Sequence, residues 1–296
     1  MGAADIVPGV SGGTVAFITG IYDTLLASIR SFDLVCAKLV LRGEMRAAWA
    51  HVNGGFLSVL LLGIATSILT LARLVSWLLE TYPAPLWAFF FGLVLASALV
   101  LLRQVSRWTL PRAMNLSCGA GVALWIALSP VVSLDMGLSG VFLSGFIAIC
   151  AMILPGISGS FILVLLGMYA TVLTALKSFD VLFILVFAVG AAAGLMCFSR
   201  ILHWLLHRAH GATMALLTGF LFGSLAIVWP WKQVLAWVTG SHGQLKAAQQ
   251  IPILPSHYLE QTGADPAVAL CVFLMVAGFA GVWFIDLKWG VSHADL

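Results

Sequence analysis

Long apolar segments dominate the chain, and short polar or glycine-containing breaks separate them. The clearest apolar runs cover residues 56–79, 86–102, 161–176, 181–197 and 268–285. Each is close to the roughly 20 residues that a helix needs to cross the core of a bilayer. The pattern predicts an all-α polytopic membrane protein in which two helical hairpins are accompanied by about six further transmembrane helices.

One of the breaks occurs twice. PGVSGG at residues 8–13 returns as PGISGS at residues 155–160, and a shift of 147 positions extends the match to Ser31-Phe32-Asp33 and Ser178-Phe179-Asp180. A shift of 127 positions then aligns five later pairs: Gly63 with Gly190, Arg73 with Arg200, Trp77 with Trp204, Gly92 with Gly219, and Ser97 with Ser224. The chain is therefore predicted to contain an internal duplication.

The chain is predicted to be a single transmembrane domain, 1–296, and the shifts of 147 and 127 positions give the bounds of its two repeats. The first repeat has an extra segment with basic residues at helical spacing, which suits an amphipathic helix in the membrane interface. The predicted parts are repeat one at about 1–103, its interfacial helix at about 34–53, a connecting span at about 114–131, repeat two at about 138–230, an outer loop at 231–265 and a last span at 266–287.

Three crossings separate the two phrases if each lies at the tip of a re-entrant hairpin. The second hairpin then enters from the opposite face, so the repeats are predicted to be inverted, as in many secondary transporters. Ten basic residues fall on the face of the first hairpin and four on the other, which predicts that the first hairpin and the carboxyl terminus are cytoplasmic. The first phrase is preceded only by MGAADIV, so its hairpin lacks most of one arm unless translation starts upstream of Met1.

Composition supports a membrane protein and excludes several other classes. Hydrophobic residues make up 62% of the chain, charged residues 8%, and the mean hydropathy is +1.10. The net charge of +3 comes from basic residues at the ends of spans, which indicates contact with lipid headgroups and no nucleic-acid partner. Five scattered cysteines have no paired spacing and are interpreted as packing residues.

The duplicated phrase is the main candidate site. Proline and glycine stop one helix, and the next helix starts with unpaired N–H groups that suit an anion. The alternative is a close-packed turn in which serine caps the helix. The candidate substrate-binding residues of the two phrases are Gly9, Ser11, Gly12, Gly13 and Thr14 in the first, and Gly156, Ser158, Gly159 and Ser160 in the second.

Two pairs of charged residues are further candidates for a functional role. Arg73 and Arg200 lie inside apolar runs at matching places, and either anion binding or snorkelling to the interface would offset the cost of their burial. Asp5 and Asp23 flank the first phrase and have no acidic counterpart in the second. They could carry a coupling proton, with helix capping or arginine pairing as the alternative.

Catalytic and metal readings are weaker. His203 and His207 have the i, i+4 spacing of a metal pair, but Arg208 beside them favours the interfacial end of a helix, so no metal or cofactor is predicted. Both phrases contain Gly-x-Ser-Gly, which also surrounds the nucleophile of rhomboid intramembrane proteases. A serine nucleophile needs a nearby base, and no histidine is expected inside a span on that side. We therefore predict no catalytic residues and no enzymatic activity.

The two signatures MGAADIVPGVSGGTVAFITGIYDTLL and ILPGISGSFILVLLGMYATVL resemble those of the bacterial polyprenyl-phosphate transporter family. The resemblance covers nearly the whole chain. It implies a flippase of the bacterial plasma membrane that returns undecaprenyl phosphate, or a related polyprenyl phosphate, from the outer to the inner leaflet for envelope biogenesis. The expected partners are this lipid, membrane lipids and, as an option, further copies of the chain. A broader anion or phospholipid permease is the alternative.

Overall fold

The computed structural model describes residues 1–2, 12–103, 105, 108–129, 137–239 and 245–289. Almost all regular structure in this part is helical. The helices are α1 Gly12–Ile18, α2 Tyr22–Arg30, α3 Leu34–Leu41, α4 Met45–His51, α5 Gly54–Thr81, α6 Pro83–Arg103, α7 Leu110–Leu128, α8 Gly137–Ile153, α9 Gly159–Leu165, α10 Tyr169–Ser178, α11 Val181–Arg208, α12 His210–Ser224, α13 Pro255–Thr262 and α14 Val268–Trp289, and the strands are β1 Lys232–Thr239 and β2 Leu245–Pro252.

Four helices of this part, namely α5, α6, α11 and α14, are long and apolar enough to cross a membrane. The bent pair α9 and α10 could supply a fifth span, since an angle of 106° separates its two helices. The helix at the predicted connecting span, α7, has polar Arg112 and Asn115 in its first turns, and α12 has only 15 residues. These two helices pack along each other.

Glycines pair α7 and α14 with helices of the other repeat. A Cβ on Gly219 of α12 would meet the main-chain oxygen of Leu116 on α7, and one on Gly92 of α6 would meet that of Met275 on α14. Gly92 and Gly219 are 127 positions apart, and their two partners are 159 positions apart. The helix that follows each repeat, α7 or α14, therefore packs against a helix of the other repeat, α12 or α6, a relation that the repeat spacing of the sequence does not show.

The same comparison shows where the repeats differ. A Cβ on Gly190 of α11 would meet the main chain of Phe142, so α8 packs closely on α11. At the equivalent position of α5, a Cβ on Gly63 would have no described residue within 4 Å. The relative orientation of the two repeats in a membrane stays a prediction.

The repeated Ser-Phe-Asp triplet is a helix cap in both copies. Asp180 accepts a hydrogen bond from the N–H of Phe183 at 3.1 Å and caps α11. Asp33 accepts from the N–H groups of Val35 and Cys36 at 2.9 and 3.0 Å and caps α3. In the second repeat, Asp180 caps a helix long enough to cross the membrane, α11. In the first repeat, the equivalent Asp33 caps the short α3 of the inserted segment.

The inserted segment forms two short helices, α3 and α4, where one interfacial helix at about 34–53 was expected. The chain turns at Gly43, whose φ of +74° suits glycine and ends α3. His51 on α4 closes the pair through its Nε2 atom, 3.2 Å from Oδ1 of Asp33. The hydrogen bond from the Cys36 N–H, helped by His51, lowers the pKa of the Asp33 carboxyl below its ordinary value.

The predicted outer loop contains an antiparallel β-hairpin, β1 with β2, followed by α13. Tryptophans attach it to the helices. The indole N–H of Trp229 donates to the main-chain oxygen of Ile253 at 2.8 Å, and that of Trp231 donates to the oxygen of Pro266 at 2.8 Å. The Lys232 ammonium lies 3.4 Å from the centroid of the Trp87 ring on α6. The segment therefore packs against the start of α6 and next to Pro266, which precedes α14.

The main hydrophobic core lies between α6 and α12, next to the two phrases. Val94, Leu101, Leu217 and Leu221 are almost completely buried there. The buried hydroxyl group of Thr218 bonds within its own helix, where it donates to the main-chain oxygen of Met214 at 2.7 Å. The core places α1 and the α8–α9 break side by side.

Candidate functional site at the helix breaks

The second phrase is a break between two helices that pack on each other. α8 ends at Ile153, and α9 begins at Gly159. Gly156 has a φ of +89°, a conformation that favours glycine. A Cβ on Gly159 would lie 2.7 Å from the main-chain oxygen of Ala148, so α9 starts in close contact with the end of α8. Both glycines are therefore needed for the chain to reverse here.

The first repeat hydrogen-bonds to both sides of this break. The N–H of Gly156 donates to Oγ1 of Thr14 at 3.0 Å, in a fully buried environment. On the other side, the Tyr22 hydroxyl donates to the main-chain oxygen of Ile153 at 2.8 Å and satisfies a carbonyl at the end of α8. The two bonds hold α1 and α2 against the second phrase.

Hydroxyl groups concentrate around the same break. Oγ of Ser158 and Oγ of Ser160 are 2.8 Å apart, and Ser158 is only 6% exposed. A Cβ on Gly156 would lie 2.9 Å from Oγ of Ser224 on α12. The second phrase therefore combines unusual backbone with two serine side chains of its own, and Ser224 of α12 lies beside them inside an apolar helical core.

The first phrase is described only in part. Asp5, Gly9 and Ser11 lie outside the described residues. Gly12, Gly13 and Thr14 form the first turn of α1 and are buried. Because Thr14 accepts a hydrogen bond from Gly156, its hydroxyl joins the two phrases in this conformation.

The other predicted charged residues lie away from this cluster of hydroxyls. Arg73 on α5 and Arg200 on α11 both have exposed side chains, and no hydrogen bond or ion pair joins either guanidinium to a described residue. Asp23 is exposed in the first turn of α2. The structure thus brings together the phrase residues Thr14, Gly156, Ser158 and Ser160, and leaves the two arginines at the protein surface.

Two residues at the break had no assigned role in the sequence analysis. Tyr22 is equivalent to Tyr169 at the shift of 147 positions, and Ser224 is equivalent to Ser97 at the shift of 127 positions. Their recurrence at the repeat spacing inside apolar helices was the signal that could have marked them as polar contacts of the tips. In the described ranges, no group of three histidine, cysteine, aspartate or glutamate side chains could hold a metal ion.

Comparisons with known proteins identify related chains. The profile of a family described as undecaprenyl phosphate translocase-like matches residues 1–246. A protein of Vibrio cholerae serotype O1 named polyprenyl-phosphate transporter is 48% identical over 280 residues, which cover 95% of this chain and 91% of that protein. A Staphylococcus aureus protein of the same name is 32% identical over 248 residues, covering 78% of this chain and 83% of that protein. No solved structure matches the chain.

Proposed function

The chain belongs to the undecaprenyl phosphate translocase-like family, and we propose that it moves undecaprenyl phosphate from the outer to the inner leaflet of the bacterial plasma membrane. It is a multi-pass membrane protein, and its relatives are named as transporters of polyprenyl phosphate. Transport to the inner leaflet would recycle the carrier lipid for peptidoglycan and other envelope glycans. This proposal includes no catalytic residue and no cofactor.

A lipid phosphate needs polar groups to cross the hydrocarbon layer. Removing an ion from water is costly unless hydrogen-bond donors or opposite charges replace its hydration. Serine hydroxyls and main-chain N–H groups at a helix break can supply such donors. Irregular backbone at membrane depth occurs only where protein or a water-filled cavity surrounds it, so these donors are kept away from the lipid. In the proposed mechanism, the phosphate binds between the two phrases and becomes accessible alternately from each leaflet.

The observation that carries this proposal is the position of the second break. Ser158 and Ser160 lie between two helices at a reversal of the chain, and Thr14 of the first repeat contacts the same reversal through Gly156. A movement of one repeat against the other would therefore change the surroundings of these hydroxyls. The remaining phrase residues, Gly9, Ser11, Gly12, Gly13 and Gly159, belong to the same proposed site.

The arginines are proposed to attract the headgroup before it enters. Arg73 and Arg200 are exposed at equivalent positions of α5 and α11, where a guanidinium can bind a phosphate bidentately. With the first hairpin on the cytoplasmic side, Arg73 would act near the outer leaflet and Arg200 near the inner one. Asp5 and Asp23 are the proposed residues for proton coupling.

Leaflet-resolved transport of labelled undecaprenyl phosphate in proteoliposomes tests this function, with and without a pH gradient. We expect Ser158→Ala, Arg73→Ala and Arg200→Ala to slow transport. The matched controls are Ser178→Ala and Arg208→Ala, because Ser178 bonds only within its own helix and Arg208 ends α11. Wild-type transport in all three test variants would refute the proposed site.

Headgroup competition distinguishes the alternative permease. Under our proposal, polyprenyl phosphates inhibit transport much more strongly than inorganic phosphate or phospholipids at equal concentration. Equal inhibition by phospholipids and polyprenyl phosphates would favour a broader lipid or anion permease.

A further inference from the structure

A cavity of about 130 Å³ lies beside the first phrase, between α1, α2, α8 and α11. Gly12 and Gly13 form its edge at the start of α1. The Tyr22 side chain lines it as well, and the hydroxyl of that residue is bonded to Ile153. The cavity is therefore next to the proposed phosphate site and connected to it through the same residues.

The lining of this cavity is hydrocarbon. Leu25 and Ile29, one turn apart on α2, line the cavity with apolar side chains from the same face of the helix. Ile149 and Met152 of α8 and Leu195 of α11 complete the opposite wall. Among the described residues of the wall, Tyr22 has the only ionisable side chain, and its hydroxyl is bonded to Ile153. Met1, which carries the terminal amine, and the main chain of Gly12 and Gly13 also line the cavity, so polar partners are confined to the edge next to the first phrase and the rest of the wall offers none.

The volume suits a small branched hydrocarbon. An apolar cavity of about 150 Å³ lined by leucine, isoleucine and phenylalanine in another protein stays dry and binds benzene, a molecule of six carbons. A cavity of about 130 Å³ can hold the five carbons of one isoprene unit. The cavity and the phrase together would accept a phosphate with the first part of a prenyl chain.

We propose that this cavity binds the isoprene unit next to the phosphate, so that the substrate is recognised by its first prenyl unit as well as by its headgroup. The inference rests on the proposed function, because it assumes that the phosphate binds at the adjoining phrases. It also changes the expected path of the lipid: the distal chain stays among the membrane lipids, while the first unit leaves them and enters the protein. Saturated straight chains fill this cavity less well than a branched unit.

The repeats provide a matched pair of variants. Ile29 lines the cavity, and its equivalent 147 positions later is Leu176, whose side chain is 50% exposed on α10. Ile29→Phe fills the cavity, and Leu176→Phe adds the same ring to an exposed surface. On α8, Ile149→Phe and Ile147→Phe form a second pair, since Ile147 is 36% exposed.

The test measures direct binding of farnesyl phosphate, pentadecyl phosphate and inorganic phosphate to the purified full chain, together with transport of undecaprenyl phosphate. We expect Ile29→Phe to weaken farnesyl phosphate binding at least tenfold and to change inorganic phosphate binding less than twofold. Leu176→Phe should leave both unchanged. Wild-type protein should bind farnesyl phosphate more tightly than pentadecyl phosphate, whose straight chain has the same number of carbons.

The proposal is overturned if Ile29→Phe binds farnesyl phosphate as Leu176→Phe does, or if the wild type does not prefer the branched chain. If Ile29→Phe fails to fold, as judged by its Tm against Leu176→Phe, the Ile149→Phe and Ile147→Phe pair decides in the same way. A wild-type protein that binds farnesyl phosphate with this preference but does not transport undecaprenyl phosphate would refute the proposed function and leave the cavity site standing.

Discussion

Thr14→Val is the most informative single change in the contact between the repeats. Oγ1 of Thr14 accepts the hydrogen bond from the N–H of Gly156 at 3.0 Å, and the side chain is 0% exposed. Valine has nearly the same shape but no acceptor. The substitution therefore leaves a buried main-chain N–H without its partner and changes little else.

The expected cost follows from the burial of that donor. A hydrogen bond contributes about 0.5–1.5 kcal/mol net, but a buried donor left unpaired costs about 1–3 kcal/mol. Because Thr14 is fully buried, we expect the upper half of this range, roughly 2 kcal/mol. A loss of this size shifts the Tm of a domain of 150–250 residues by about 4–8 °C, and the longer chain here should shift by a few degrees.

Thermal unfolding of the purified protein in detergent measures this effect, with two controls. Thr14→Ser keeps the acceptor and should recover most of the loss. Thr19→Val removes a hydroxyl that donates to the main-chain oxygen of Val15 at 2.8 Å within an exposed turn, so its Tm should change little. Equal Tm values for Thr14→Val and Thr19→Val would show that the Gly156 contact does not stabilise the protein and would refute the reasoning.

Three further predictions test other parts of the fold. Tyr22→Phe removes the donor to the end of α8 and should lower the free energy of unfolding by about 1 kcal/mol; an unchanged Tm would contradict this. Gly92→Ala or Gly219→Ala should destabilise the protein by about 1–3 kcal/mol through contact with the facing main chain, whereas Gly281→Ala, with open space around it, should not. Asp33→Asn should weaken the contact between α3 and α4. In the wild type the folded-state pKa of the Asp33 carboxyl is lowered, so the amide-exchange protection of these two helices should be present at neutral pH and should be lost as the pH falls through that pKa. The variant should show no such loss of protection with pH.

Much of the helical arrangement could be predicted because its causes are local. Apolar length identified the spans α5, α6, α11 and α14, and Pro155 with its neighbouring glycines identified the break between α8 and α9. The thickness of a bilayer sets the length of an apolar run, and proline or glycine ends a helix, so both features can be recognised within a single stretch of sequence. The family could be recognised from the same two phrases.

The contacts between distant segments could not be predicted in the same way. Nothing near Thr14 indicates that its hydroxyl meets Gly156, since the partner is 142 positions away. The partners of Gly92 and Gly219 lie in α14 and α7. The sequences of these two helices share only scattered small residues, so the repeat match does not extend to them. The β-hairpin after α12 was missed because the segment was interpreted as an outer loop, although its two strands have 8 residues each.

Arg73 and Arg200 occupy equivalent positions of the two repeats, and both side chains are exposed. Repeat equivalence places residues at the same position of each copy, and that position can be at the surface as well as in the interior. The transport measurements on Arg73→Ala and Arg200→Ala test whether these surface positions attract the headgroup.

The crossed packing of α7 and α14 makes the two halves of the chain depend on each other for burial. α7 follows the first repeat but packs on α12 of the second, and α14 follows the second repeat but packs on α6 of the first. Neither half therefore covers its own glycine surface with its own following helix. A chain cut between the halves would bury these surfaces only if the two pieces associated with each other.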